Sequence, residues 1–97
     1  MLLLSMIMSL RHKGLRKLFE TGDAFGVLAA HKTKLRMQLT ALDTAITIDD
    51  MNIPGFKLHQ LKGELRGRWS ISVNGNWRLT FEFKDGNVFI LDYEDYH

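Results

Sequence analysis

Apolar positions along this chain keep two rhythms, a helical one in the first half and a period of two in the second, and each predicts its own elements. Leu4 to Leu10 is an apolar stretch that suits an opening strand. From His12 the spacing changes. Leu15, Leu18 and Phe19 recur at helical intervals with Lys13, Arg16 and Lys17 on the other side, and Thr21-Gly22 supplies a stop, so a short amphipathic helix is expected. After a loop around Asp23 to Gly26, residues Leu28, Leu35, Leu39, Leu42 and Ile46 form the stripe of a longer helix, with Lys32, Lys34 and Arg36 on its wet flank. Thr47 to Phe56 reads as a connection, in which Asp49-Asp50 can cap a turn and Pro54-Gly55 closes it.

Beyond Phe56 the strands begin. Phe56 to Gly63 predicts a short strand that leads into the charged run Glu64 to Arg68. Trp69, Ile71 and Val73 alternate with Arg68, Ser70 and Ser72 up to the turn signal Asn74-Gly75-Asn76. Trp77, Leu79, Phe81 and Phe83 then alternate with Arg78, Thr80 and Glu82, and Lys84-Asp85-Gly86-Asn87 turns the chain into a last strand, Val88 to Tyr93. The expected architecture is α+β: a small, antiparallel-dominated curved sheet, made of the N-terminal strand and a C-terminal three-strand meander, packed against two N-terminal helices. Parity sets Arg78 on the face opposite Trp77, Leu79 and Phe81, pointing outward. The continuous apolar run of the last strand leaves the facing of Tyr93 and Asp95 open.

Composition narrows the class. Ninety-seven residues, 45% of them apolar, are expected to make one domain spanning residues 1–97 with a modest core. The absence of cysteine removes disulfides and thiolate metal sites and fits a reducing, cytoplasmic setting. The apolar stretch Met1 to Met8 lacks a charged lead and a cleavage site and falls far short of the roughly 20 residues needed to cross a bilayer, so neither export nor a membrane role is expected. A net charge of +2 hides an asymmetry: basic residues crowd 11–17, 32–36 and 57–68, and acids gather at 43–50 and 92–95. Such a polarised surface is compatible with nucleic acid and equally with a plain solvated basic face. His12, His31, His59 and His97 show no metal-ligand spacing, and Gly63, Gly67 and Gly75 form no phosphate-cradling motif, so no metal and no cofactor are expected.

The densest chemistry lies in Tyr93-Glu94-Asp95-Tyr96-His97, which carries an imidazole, two phenols and two carboxylates, with the terminal carboxylate on His97 itself. The tail follows Val88-Phe89-Ile90-Leu91 with no linker, so it should be pinned to the sheet. Together with Met6-Ile7-Met8-Ser9-Leu10-Arg11-His12-Lys13-Gly14-Leu15, Lys57-Leu58-His59-Gln60-Leu61-Lys62-Gly63, Trp69-Ser70-Ile71-Ser72-Val73 and Asn76-Trp77-Arg78-Leu79-Thr80-Phe81, this tail resembles the HigB toxins of bacterial toxin-antitoxin pairs. The likeness covers nearly the whole chain from Met6. Residues 1–5 precede the usual start of the family, as an upstream-start artefact or as an extension of the first strand. The resemblance implies the RelE/ParE superfamily, with a microbial-RNase-like sheet covered by two helices. It also implies a cofactor-free toxin that cuts messenger RNA in the decoding site of the 70S ribosome. Its partner would be HigA, a helix-turn-helix antitoxin that also represses the operon, so operator DNA would be reached only through the antitoxin. An antitoxin could cover the active face or dock elsewhere and block ribosome entry by bulk; the sequence does not choose, and the resemblance favours the second, since HigA-type partners typically leave the catalytic groove exposed.

Metal-free cleavage by the adjacent 2′-OH needs a base, an acid for the departing 5′ oxygen, and cations for the extra phosphate charge. Matched position by position, the resemblance points to His59, Asp95, Tyr96 and His97 as the catalytic set, with Lys62 and Arg78 on the phosphate. His97 would be one proton-transfer partner and His59 or Asp95 the other; which is base and which acid stays open. Arg66, Arg68, Lys13, Arg16 and Lys17 are weaker candidates for RNA or ribosome contact, as are Lys32, Lys34 and Arg36. Without the resemblance, His59 is an ordinary strand residue, His97 a frayed end, Asp95 a turn cap or lysine partner, and Tyr93 a core or rim aromatic. Two competing functions are a ParE-like toxin that binds DNA gyrase and an inactive basic RNA-binding module. A gyrase binder has no reason to keep His59 and Asp95-Tyr96-His97.

Overall fold

A computed structural model describes residues 7–63 and 67–95. Helix α1 covers Lys13–Thr21, and α2 covers Lys32–Thr44 after a single 3-10 turn, Ala29–His31. A second 3-10 turn, Ile48–Met51, precedes strands β1 (His59–Gln60), β2 (Arg68–Asn74), β3 (Trp77–Lys84) and β4 (Asn87–Asp95). The four strands form one antiparallel sheet in sequence order. The α+β expectation is borne out, and no described helix is long and apolar enough to cross a membrane.

The local chemistry explains the helix ends. His12 Nδ1 accepts the Leu15 N–H at 3.1 Å as an N-cap, and Gly22, at φ +82°, closes α1 by donating its N–H to the Leu18 carbonyl. The stripe read for the second helix was too long. Leu28 and Ile46 lie outside α2 and are exposed, while Leu35, Leu39 and Leu42 are buried and Ala45 takes the next inward place. At the Ile46 end a local competitor stops the helix: Asp50 accepts the Ile46 and Thr47 N–H groups, at 2.9 and 3.1 Å, in a capping box that starts the next turn, while Leu28 is extended and leads the separate turn Ala29–His31. The same two bonds hold the Asp50 carboxyl below the usual carboxylate range.

The opening strand also needs correction. Leu4 to Met6 lie outside the described residues, and Ile7 and Leu10 make only two isolated parallel bridges, to Val88 and Leu91. A β-bulge in β4 falls between the two bridges. Register shifts between Thr80 and Glu82, Ile90 takes φ +46°, and its N–H turns to the Ser9 hydroxyl at 2.8 Å. The fourth antiparallel strand is therefore β1, not the N-terminal segment. The β3–β4 hairpin closes on Asp85 and Gly86, both at positive φ, the type I′ geometry that Asp-Gly favours.

One sheet face is dry. Ile71, Leu79, Phe81, Leu91 and Tyr93 pack under Leu15, Leu35, Leu39 and Leu42 of the helices, with Met51 and Phe56 closing the core. Buried Gln38 crosses from α2 to donate to the Ser72 carbonyl at 2.8 Å, beside the register shift of β2. The opposite face carries the polar half of the alternation and, among the described residues, no helix.

Candidate active site

Cross-strand register builds the open face rung by rung. His59 stands opposite Ser70, Ser70 opposite Thr80, and Thr80 opposite Asp92, so one row runs across all four strands. A neighbouring row carries Ser72, Arg78 and Glu94, and Arg68 faces Glu82 on the other side. Directly opposed residues share a face, so these side chains all stand away from the helices. Ser70 and Thr80 are nevertheless only 0% and 1% exposed. Long neighbours lie over them: Arg78 Nη1 donates to Ser70 Oγ at 3.3 Å, and Arg68 Nη2 donates to Thr80 Oγ1 at 3.5 Å. Thr80 in turn donates its hydroxyl hydrogen to Glu94 Oε2. Two guanidiniums thus rest on a floor of two hydroxyls, with a carboxylate at one end.

His59 is exposed on the short edge strand β1, where Nδ1 lies 3.1 Å from the Lys57 carbonyl. Lys57 is in the left-handed region at φ +53°. A carbonyl can only accept, so the contact assigns the hydrogen to Nδ1 and leaves the Nε2 lone pair available in the neutral ring. Asp95 ends β4 opposite Trp77. Register places it on the helix side of the sheet, three strands from His59, a lateral separation of about 14 Å at the usual strand spacing. The open question of facing is answered: Tyr93 and Asp95 share the helix face, and Glu94 shares the open face with Arg78. Lys62 is exposed on the loop whose base is tied by the Leu61 N–H to the Arg68 carbonyl at 2.8 Å. Arg66, Tyr96 and His97 lie outside the described residues. Among the described residues no group of three or more His, Asp or Glu is placed to hold a metal ion.

Residues 8–97 match the model of the RelE-like toxins of the type II toxin-antitoxin system HigB. This chain belongs to that family. It is 50% identical over 92 residues to the endoribonuclease HigB of Proteus vulgaris, across 95% of this chain and all of the relative. It is 32% identical over 94 residues to toxin HigB-1 of Vibrio cholerae serotype O1, strain ATCC 39315 / El Tor Inaba N16961, across 95% of this chain and 98% of that one. A toxin of a type II pair has an antitoxin as its partner.

The helix side of this HigB-family toxin anchors the strand that leads to the tail. Tyr93 is 4% exposed, and its hydroxyl lies 2.6 Å from Nδ1 of His31, itself 4% exposed. The Leu28 N–H points at the same phenolic oxygen at 3.4 Å, which leaves the phenolic hydrogen for His31 and puts the imidazole hydrogen on Nε2. Trp77 lies at 4.6 Å between ring centroids, and His12 meets Tyr93 edge-on at 5.1 Å. Burial pushes the Tyr93 phenol above its ordinary range, with the Leu28 N–H pulling weakly the other way. Tyr93 is thus the core aromatic that the sequence suggests.

The basic residues of the helices form a different surface. Lys13, Arg16, Lys17, Lys32 and Arg36 are exposed in the helical layer; Arg16 donates to the Leu10 carbonyl and Arg36 to the Gly22 carbonyl, while Lys34 sits 5.9 Å from the centroid of the Phe56 ring. A cleft lined by Leu18, Phe19, Arg36, Leu39, Thr40 and Asp43 also belongs to this layer, away from the open sheet face. Sequence reading gave no role to Ser70 and Thr80, and missed Glu94 as a member of the open face and His31 as the partner of Tyr93. The alternation with apolar neighbours had already put Ser70 and Thr80 in the polar half. Glu94 had no such signal, because its facing depends on the Ile90 bulge.

Proposed function

We propose that this HigB-family toxin is a metal-independent endoribonuclease that cuts messenger RNA on the ribosome, in the cytoplasm, and so stops translation. The carrying observation is His59: an exposed imidazole whose Nε2 lone pair is left available by the Nδ1 contact, on the same face as Arg78. The 2′-OH of the nucleotide before the scissile bond attacks phosphorus, its proton passes to a base, and the departing 5′ oxygen takes a proton from an acid. The products are a 2′,3′-cyclic phosphate and a 5′-OH. His59 serves as base and His97 as acid, with Asp95 orienting an imidazole, Tyr96 donating to a phosphate oxygen, and Lys62 and Arg78 holding the phosphate charge. The name of the Proteus vulgaris relative supports the reaction class.

The antitoxin in this proposal is a HigA-type helix-turn-helix protein that docks away from the open face and blocks ribosome entry by its bulk. Lys13, Arg16 and Lys17 then contact ribosomal RNA through phosphates, with Arg66 and Arg68 reaching the message. The test is to map message ends during induction of the intact chain, of His59→Ala and of a chain lacking His97, each checked for folding. New 5′-OH ends within translated messages are expected from the intact chain. Each variant is expected to lose about 100-fold or more in cleavage rate. Full toxicity from both folded variants would overturn the site, and DNA damage with intact messages would show a gyrase-directed toxin instead.

A further inference from the structure

We propose that Glu94 is a positioning residue for the RNA-cutting face, acting through Thr80 on the arginine that lies over it. This deepens the endoribonuclease reading above and rests on it. The direction of the hydrogen bonds carries the inference. A threonine hydroxyl has one hydrogen, and Thr80 gives it to Glu94 Oε2. Its lone pairs face Arg68, whose Nη2 lies 3.5 Å away and can only donate. The chain therefore runs one way, from guanidinium to hydroxyl to the Glu94 side-chain oxygen, and ends on an acceptor that fixes where the hydroxyl lone pairs point.

Placement adds to direction. Glu94 stands directly across the ladder from Arg78, and Ser70, which accepts from Arg78 Nη1, stands directly across from Thr80. Both guanidiniums are thus footed on one rung of buried hydroxyls, and Glu94 fixes the orientation of one of those hydroxyls. Among the described residues, Asp92 and Glu82, the other carboxylates that register puts on this face, are differently engaged or placed. Asp92 Oδ1 accepts the Tyr93 N–H at 3.0 Å, and Glu82 is exposed opposite Arg68 at the far end of the pair. Without the Glu94 acceptor, the Thr80 hydrogen is free to turn toward solvent, and the guanidinium above it loses a fixed footing. A phosphate would still be attracted by charge, but the donors would no longer be aimed where charge develops, which lowers kcat more than affinity.

The experiment measures cleavage of a translated message by the full-length toxin, with kcat and KM separated, for Glu94→Ala, Glu94→Gln, Thr80→Val, the Ala/Val double variant and Thr80→Ser, beside His59→Ala. Urea unfolding of each variant identifies any that fail to fold, and Thr80→Ser keeps the chain of bonds intact if Thr80→Val does not fold. Glu94→Ala is expected to lower kcat about tenfold or more with KM within about twofold, the loss of one positioning hydrogen bond. The double variant should be no slower than the slower single variant, because both break one chain. Glu94→Gln and Thr80→Ser, which keep the acceptor oxygen and the hydroxyl, should recover most of kcat. Full activity in Glu94→Ala beside a loss in His59→Ala would overturn the proposal and leave the endoribonuclease reading standing. Equal losses in Glu94→Ala and Glu94→Gln, or additive losses in the double variant, would also overturn it, since the carboxylate would then act by charge or proton transfer. If the intact chain cuts no message, the endoribonuclease reading itself fails.

Discussion

Tyr93 connects the two halves of the molecule through a single oxygen. It takes the Leu28 N–H and gives its hydrogen to buried His31, so the strand carrying Glu94 and Asp95 is tied to the helical layer two residues before its end. Tyr93→Phe keeps the ring packing against Trp77 but leaves the His31 nitrogen without this partner. We expect a loss of about 1–3 kcal/mol, read as a lower urea midpoint with an unchanged slope. The same phenol predicts an alkaline limb. Its folded pKa is raised above the ordinary value of 10.0, so the protonated form is favoured by folding. That contribution is fully present below pH 10 and is lost as pH rises through the raised value. Thermal unfolding followed above pH 9 should show stability falling in the parent chain and a shallower fall in Tyr93→Phe. Asp50 works in the opposite direction. Its lowered pKa gives a contribution that is present above its ordinary value of 3.8 and lost as pH falls through the lowered value.

At the scale of elements, close backbone approach and a bulge do what side-chain pattern does not. Gly14, in the first turn of α1, packs against Gly26 so tightly that an added Cβ would meet the Gly26 carbonyl oxygen at a separation of 2.2 Å. Backbone must move to admit it. Gly14→Ala is therefore expected to destabilise by about 1–3 kcal/mol, although alanine is the better helix former. Gly22→Ala meets no neighbouring atom and should cost only the strain of its φ of +82°, about 1–2 kcal/mol. A matched pair of unfolding curves checks both. The Ile90 bulge has the larger functional consequence. A one-residue change of register exchanges the faces of every later residue, so this bulge sets Glu94 beside Arg78 and Asp95 beside Trp77. Inserting one residue between Leu91 and Asp92, which would turn Glu94 to the helix side, should abolish cleavage even where far-UV circular dichroism shows the strands retained.

At the scale of the whole molecule, two polar surfaces stand on opposite sides of one core. The open sheet face mixes arginines with carboxylates and hydroxyls, and the helical face carries Lys13, Lys17 and Lys32. Ribosome binding through the helical lysines should weaken steeply with salt. Replacing Lys13 and Lys17 by Gln should lower the log-log salt slope by about one for each phosphate no longer neutralised, without changing cleavage at saturating ribosome. An unchanged slope would remove α1 from the ribosome-binding surface. What the sequence determined by itself was whatever rests on neighbours in the chain. The α1 stop at Thr21-Gly22, the Asp50 cap, the Asp85-Gly86 turn and the alternation that turns Arg78 away from Leu79 and Phe81 were all legible, because each follows from local geometry and parity. The sequence overextended the second helix to Leu28 and Ile46; at the Ile46 end, apolar spacing does not record that Asp50 captures the two N–H groups just past the helix. Tertiary structure alone decided that the opening segment bridges β4 instead of extending its ladder, that Tyr93 meets His31 across the core, and that Glu94 shares a face with Arg78. Each of those depends on a strained residue or a contact between distant segments, and pairing across 62 residues leaves no periodic trace in the chain.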